Sequence, residues 1–248
     1  MTAPANQLAA AEPTLETSGM RILLQGVVGS VAYGLDTPDS DIDRLGVFAA
    51  PTAAFHGLTM PVESHVATKP DSTLHEAAKW SRLAIKGNPS VSELLWLPEY
   101  ETTTPLGEQL IEIRGAFLSA PAIMGAYLGY ARDQLKKLMS RGDGRFDSDI
   151  PERRSLKNAV HVARLAEQGE NLYKTGVLTV RLPDPDKTRA VGKFLLENPD
   201  RGLVMLQAAE ERMRHAGSPL PNKPDTARVE AWLHAVRDYY YERDEVKA

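Results

Sequence analysis

Two hydrophobic periodicities divide this sequence near residue 105, and the division constrains the fold more than any other feature. Before it, short apolar runs are separated by turn residues. Residues 21–28 and 42–50 predict two strands, and 61–75 is expected to supply two more. Beyond it, apolar residues recur at helical spacing along almost the whole chain. We predict an α/β chain of the α+β type, with a small mixed-sheet core followed by a helical domain.

The predicted boundaries divide the 248 residues into three segments. Residues 1–17, rich in Ala, Pro and Thr, predict a flexible arm. Residues 18–104 form the α/β core, and 105–248 form the helical domain with one short strand at 177–182. Helices are predicted at about 76–87, 121–139, 152–175, 186–197, 200–215 and 225–241, with a loop at 141–149.

Composition excludes several classes of site. The chain has no cysteine, which excludes disulfides, thiolate nucleophiles and Cys-based metal centres. No apolar run approaches the ~20 residues of a membrane span, so we expect no membrane partner. The first basic residue is Arg21, so the amino terminus lacks the basic segment of a secretory signal. These features favour a cytoplasmic protein.

Charge is unevenly distributed along the chain. Residues 1–128 carry seven Lys or Arg against 14 Asp or Glu, whereas residues 129–248 carry 22 against 19. A cation-binding front and an anion-binding rear would explain this, although charge alone favours ordinary surface variation. Because the net charge is −4 and no strongly basic face is evident, long duplex DNA is a disfavoured partner.

The segment GSVAYGLDTPDSDID, residues 29–43, carries the strongest functional signal. A strand that ends in Gly29-Ser30 and turns into a helix presents backbone N–H groups and a hydroxyl to phosphate oxygens. Asp41 and Asp43, two apart at the next strand, point to the same face and can share a hard cation such as Mg²⁺. Turn capping by Asp and Ser is the structural alternative. The combination of strand, Gly-Ser and strand-borne Asp pair favours a phosphate and metal site.

This arrangement resembles the signature of the polymerase β superfamily of nucleotidyltransferases. Residues 29–47, 86–96 and 157–180 are together similar to the RlaP-type branch, a group of predicted nucleotidyltransferases associated with RNA repair. The resemblance spans most of residues 22–182. It implies transfer of a nucleoside monophosphate from an NTP such as ATP to an acceptor hydroxyl, with release of pyrophosphate. It also implies a two-metal site for Mg²⁺, with Mn²⁺ as a possible substitute.

The superfamily has a third acidic residue on a later strand, and the resemblance points to Asp71 as the third metal ligand and catalytic carboxylate. Glu63 and Glu76 are the substitutes, and capping of a turn is the structural interpretation of Asp71.

A polar stripe on one predicted helix supplies the remaining nucleotide-binding candidates. Lys157, His161 and Arg164 recur at i, i+4 and i+7, beside an apolar row. With the resemblance, Lys157 and His161 are expected near the phosphates or the base, beside Gly29 and Ser30; a solvated face is the alternative. Tyr33 is expected either to stack on the base or to fill the core. In 86–93, Lys86, Asn88 and Glu93 are interpreted first as structural.

Three functions compete at this stage. The favoured one is a metal-dependent nucleotidyltransferase whose acceptor is an RNA end, a small molecule or a protein side chain. A non-catalytic nucleotide- or partner-binding module on the same fold is the alternative. A metal-dependent phosphohydrolase ranks last, because the His-Asp pairings expected of one are not evident. The sequence does not indicate the acceptor, the preferred base or the oligomeric state, because one fold and one core chemistry serve many acceptors.

Overall fold

A computed structural model describes residues 21–141 and 149–245 of the chain. The predicted arm at 1–17 lies outside the described residues, and so does most of the predicted loop at 141–149.

Five strands form one mixed sheet in the order β3-β4-β2-β1-β5. β2 and β4 run parallel, with Arg44 opposite Ser72, whereas the other neighbouring strands are antiparallel. Parallel strands begin at the same edge of a sheet, so the starts of β2 and β4 lie side by side. The strands are β1 (Arg21–Val28), β2 (Asp43–Ala49), β3 (Ser64–Thr68), β4 (Asp71–Glu76) and β5 (Thr102–Thr103).

Helices make up most of the rest of the described chain. Several begin at a proline whose preceding side chain accepts a backbone N–H, as Asn88, Thr104 and Asp184 do. The α-helices are α1 (Gly29–Tyr33), α2 (Ala77–Ile85), α3 (Pro89–Ser92), α4 (Pro105–Glu112), α5 (Ala120–Arg141), α6 (Asp149–Thr175), α7 (Pro185–Glu197), α8 (Pro199–Ala216) and α9 (Thr226–Glu245), with 3₁₀ helices at Thr52–His56, Glu93–Trp96 and Arg114–Phe117.

One continuous apolar core joins the sheet to the helical part. It runs from Leu23 and Leu24 of β1 to Val236 of α9, all fully buried. The last helix returns to the sheet side of the molecule, where the Thr52 hydroxyl donates to the carbonyl of Arg237 at 2.7 Å. The predicted α+β class with a helical carboxyl-terminal region is therefore confirmed.

The predicted strand at 177–182 is wrong, because this segment has no regular secondary structure. Its carbonyls at Thr179 and Val180 accept hydrogen bonds from the Gln168 amide, at 3.0 and 2.8 Å, and its Leu182 N–H donates to the Tyr33 carbonyl. The alternating apolar residues that suggested a strand are instead buried in the core. The two-residue strand β5 was not predicted, since it is too short to show a period.

Candidate active site

Three aspartates lie at the sheet edge where β2 and β4 begin. Asp43 is the first residue of β2 and lies opposite Val28, the last residue of β1. Asp71 is the first residue of β4. Asp41 stands in the exposed loop just before β2. We call these three residues the aspartate edge.

Electrostatic coupling shows that the aspartate edge is one cluster. Burial raises the pKa of Asp43 above its ordinary value, and the negative charge of Asp71 and, less strongly, of Asp41 raises it further. The positive charge of Lys157 acts in the opposite direction. The structure therefore places Asp41, Asp71 and the α6 lysine around Asp43, where accumulated negative charge favours a bound cation.

The donor chemistry of the aspartate edge fits Mg²⁺, which prefers carboxylate oxygens. Within residues 21–141 and 149–245, however, no group of three or more His, Asp or Glu side chains is arranged to hold a metal ion as it stands. Asp41 and Asp71 are both exposed, while Asp43 is half-buried.

The absence of a side chain at Gly29 leaves room for the Asp43 carboxylate. The backbone of Gly29 has a φ of +73°, and a β-carbon there would collide with Oδ2 of Asp43. Both the left-handed conformation and the close approach demand glycine. The Gly-Ser pair thus serves first to let the α1 turn pass directly over the Asp43 carboxylate.

A buried polar cluster lies beneath this turn. The carboxylate of Glu93, 3% exposed, accepts hydrogen bonds from the Tyr33 hydroxyl at 2.5 Å and from the backbone N–H of Gly29. The guanidinium of Arg164, itself fully buried, stacks 4.0 Å over the Tyr33 ring. We call Glu93, Tyr33 and Arg164 the buried clamp, because together they hold α1 from below.

The buried clamp is anchored in the helical domain. Arg164 donates to the Gln168 side chain at 2.6 Å, and a second guanidinium nitrogen lies 3.2 Å from Nδ1 of His161. Burial, with the nearby charges of Arg164 and Lys157, lowers the pKa of His161 to about 3. His161 is therefore neutral at physiological pH and offers a hydrogen bond rather than a charge.

The predicted α6 stripe is not a solvated face. Lys157 is exposed, His161 is half-buried and Arg164 is buried, so the stripe descends from the surface toward the core. Of the two roles expected for Tyr33, the structure shows the packing role: its side chain is 6% exposed and Arg164 covers one ring face.

The two substitutes for Asp71 have other partners. Glu63 pairs with Arg82 at the surface. Glu76 is buried, accepts the Ala78 N–H that begins α2, and pairs with Arg237 at 2.7 Å. Neither of them influences the pKa of Asp43, as Asp71 does. Of the three candidates, Asp71 is the one that lies at this edge, as the first residue of β4.

Glu93, which the sequence analysis interprets first as structural, and Arg164 are both buried members of the clamp. Each is a charged residue inside an apolar run, Glu93 before Leu94 and Leu95, and Arg164 between Ala163 and Leu165. Charged residues are almost never fully buried unless they are paired. A charged residue inside each of two apolar runs was therefore the sequence feature that could have predicted that Glu93 and Arg164 are buried near each other.

A cleft of about 340 Å³ opens beside the aspartate edge. Asp43 and Asp71 line it on the sheet side, with Thr73 and His75 further along β4. Asn88 and Tyr130 line its opposite wall, and the Asn88 amide donates to the Tyr130 hydroxyl at 2.8 Å. The carboxylates therefore face a space that a substrate can enter.

The chain matches a known protein family. Residues 5–191 match the RlaP family, described as the RNA repair pathway DNA polymerase beta family. Among solved structures, a nucleotidyltransferase-like protein from Exiguobacterium sibiricum 255-15 is similar at 9% identity and a TM-score of 0.29, over 79% of this chain and 69% of that one. No protein of curated function matches the chain.

Within residues 21–141 and 149–245, none of the helices combines the length and apolar character that crossing a bilayer requires.

Proposed function

This chain belongs to the RlaP family of polymerase β-type nucleotidyltransferases, and we propose that it transfers a nucleoside monophosphate from an NTP to an acceptor hydroxyl, releasing pyrophosphate. An RNA end is the favoured acceptor, in keeping with the family's description. The observation that carries the proposal is the cluster around Asp43: two further aspartates and Lys157 act on its carboxylate, directly beneath the Gly29-Ser30 turn.

Asp41, Asp43 and Asp71 would hold the Mg²⁺ ions, with Mn²⁺ as a possible substitute. Bound there, the ions would neutralise phosphate charge and make an acceptor hydroxyl more acidic. The carboxylates supply the site itself: Asp43 is fixed by its strand, while the exposed Asp41 and Asp71 adjust to it. Relief of the repulsion among them favours binding.

The remaining groups orient the triphosphate. Ser30 opens α1 next to Asp43, and its hydroxyl can donate to a phosphate oxygen. Lys157 supplies positive charge on the same side of Asp43. The neutral His161 adds a hydrogen bond, whereas the N–H of Gly29 is already held by Glu93. Phosphoryl chemistry depends mainly on such positioning and charge neutralisation.

In the reaction, the acceptor oxygen forms a bond to the α-phosphorus while the bond from that phosphorus to the bridging oxygen breaks. The electron pair leaves with pyrophosphate. Asp71 lies in the open cleft and accepts the proton of the acceptor hydroxyl.

The test uses the full chain with each of the four NTPs, labelled with ³²P at either the α or the γ position, and with RNA fragments, small alcohols or the protein itself as acceptor. We expect α-label on RNA in the presence of Mg²⁺, γ-label recovered only as pyrophosphate, and no transfer when EDTA removes the metal. Transfer of γ-label would contradict nucleotidyl transfer, as would release of labelled nucleotide to water alone. Binding of NTP without transfer to any acceptor would favour the binding-module alternative.

A further inference from the structure

A second cavity, of about 450 Å³, lies between α2 and α5. Its floor consists of small residues, Ala122, Gly125 and Ala126 of α5. A β-carbon at Gly125 would meet nothing within 4 Å, so the helix faces open space there. The remaining described residues on its walls are Leu83, Lys86, Asn88, Pro121 and Tyr130.

This cavity adjoins the cleft of the aspartate edge. Leu83, Asn88 and Tyr130 line both spaces. The cleft reaches from these shared residues to Asp71 and Asp43. A molecule in the cavity therefore lies next to the cleft that Asp71 and Asp43 line, with Asn88 and Tyr130 at the boundary between the two spaces.

The line along which the acceptor oxygen must approach the phosphorus indicates which substrate this cavity binds. The attacking and leaving oxygens stand roughly in line across the transferred phosphorus. Ser30 and Lys157, which would hold the phosphates that leave, are not among the described residues that line either space. The acceptor must come from the other side, which is the side of Asp71 and of the cavity.

The walls suit a flat ring attached to a phosphate chain. Small residues leave a shallow apolar floor, and Tyr130, 40% exposed, offers an aromatic surface whose hydroxyl is held by Asn88. The exposed Lys86 at the wall can meet a phosphate. Stacking on an aromatic side chain combined with a nearby cation is a common way to bind single-stranded nucleic acid.

We propose that this cavity binds the terminal nucleobase of a single-stranded RNA acceptor and so places the terminal hydroxyl beside Asp71. The inference rests on the proposed function, since it names the acceptor of that reaction and the surface that selects it.

Two glycines of α5 provide a matched pair for the test. Gly125 lines the cavity, whereas Gly129, one turn further along, does not; a β-carbon at either position would meet nothing within 4 Å. Leucine at either position improves helix propensity, but only Gly125→Leu fills the cavity. The probe is a short RNA with 2-aminopurine as its 3′-terminal base, titrated with the full chain without NTP, so that burial of that base changes its fluorescence.

We expect the wild-type chain and Gly129→Leu to give the same change and the same Kd. Gly125→Leu should weaken binding about tenfold or more, as loss of one stacked base does. Tyr130→Ala should act in the same direction, which keeps the test valid should Gly125→Leu fail to fold. A probe with 2-aminopurine at an internal position should respond much less.

Equal binding by the two leucine variants would overturn the proposal, as would absence of RNA binding by the wild-type chain. An effect of Gly125→Leu on NTP affinity instead of RNA affinity would overturn it as well, because the cavity would then hold the donor base. Binding and transfer are read separately. RNA bound as expected but never labelled would support the cavity while contradicting the proposed function.

Discussion

The aspartate edge and the buried clamp use charged side chains in opposite ways. At the edge, burial and the charges of Asp71 and Asp41 raise the pKa of Asp43, and these two neighbouring aspartates are exposed to solvent. In the clamp, one carboxylate and one guanidinium are fully desolvated but are held by Tyr33, Gly29 and Gln168. The two regions meet at Gly29, which lies against the Asp43 carboxylate on one side and whose backbone interacts with Glu93 on the other.

This difference in the exposure and bonding of the charges indicates the role of each region. Charge that is left uncompensated at a surface is available to a ligand, whereas buried charge that is hydrogen-bonded, as Glu93 is by Tyr33 and Arg164 by Gln168, fixes geometry. We therefore expect substitutions at the edge to reduce transfer without loss of stability. Substitutions in the clamp should reduce stability first, with transfer affected through α1.

The largest expected effect separates the third carboxylate from its neighbours. Asp71→Asn should reduce transfer about 10³-fold, roughly 4 kcal/mol of activation free energy, because one metal ligand and the proton acceptor are lost together. Glu63→Gln should leave transfer almost unchanged, since Glu63 pairs with Arg82 at the surface. Single-turnover rates with labelled NTP measure both. Equal losses in the two variants would show that Asp71 has no special role.

The clamp should produce the largest change in stability. Arg164→Leu removes the guanidinium that stacks over Tyr33 and donates to Gln168, and leaving the buried Gln168 oxygen without its donor costs about 2–3 kcal/mol of unfolding free energy. Arg132→Leu breaks a more exposed pair with Glu210 and should cost about 1 kcal/mol or less. Urea denaturation compares them. Similar urea midpoints for the two variants would contradict the claim that the buried clamp contributes more to stability than an exposed ion pair does.

The pH dependence of stability tests the clamp more finely. Burial raises the pKa of Glu93 from 4.5 to about 7, so the folded chain holds this proton more tightly than the unfolded chain does. The stabilisation is full below pH 4.5 and is lost as the pH rises to about 7, by roughly 2–3 kcal/mol. Glu93→Gln should flatten this slope relative to the wild-type chain. Parallel curves for the two proteins would contradict the shift.

The smallest effect concerns the glycine shared by the two regions. Gly29→Ala should cost about 1–2 kcal/mol, because alanine is strained at positive φ, and should displace the Asp43 carboxylate, which lowers transfer further. Gly115→Ala is the control, since a β-carbon there meets nothing within 4 Å. Thermal unfolding and transfer assays measure the pair. An active Gly29→Ala protein would show that the close approach to Asp43 is dispensable.

Much of the framework could be predicted from the sequence. β1 and the helix that became α2 follow from apolar period and turn residues. The Asp41-x-Asp43 spacing predicted a shared strand face, but β2 begins at Asp43 and Asp41 lies in the loop before it. The resemblance to the polymerase β superfamily pointed to Asp71 as the third carboxylate. The structure adds that β4 runs parallel to β2, which is what brings Asp71 to the same edge.

The buried clamp was beyond this reasoning because its partners lie far apart in the chain. Tyr33 and Glu93 are 60 residues apart, and Arg164 is on another helix. Local patterns describe which face of an element is apolar, but not which distant polar group will satisfy a buried charge. The strand predicted at 177–182 failed for a related reason: its backbone partners are the side chain of Gln168 and the carbonyl of Tyr33 at the end of α1.

The most direct test of this account is transfer from α-³²P-labelled NTP to RNA by Asp43→Asn, with Asp36→Asn as the matched change in the same acidic segment. Asp43 lies at the centre of the aspartate edge, whereas Asp36 is an exposed loop residue. We predict that Asp43→Asn loses transfer while its unfolding free energy stays at or above that of the wild-type chain, and that Asp36→Asn keeps both. Transfer retained by Asp43→Asn would contradict the assignment of this edge as the catalytic centre.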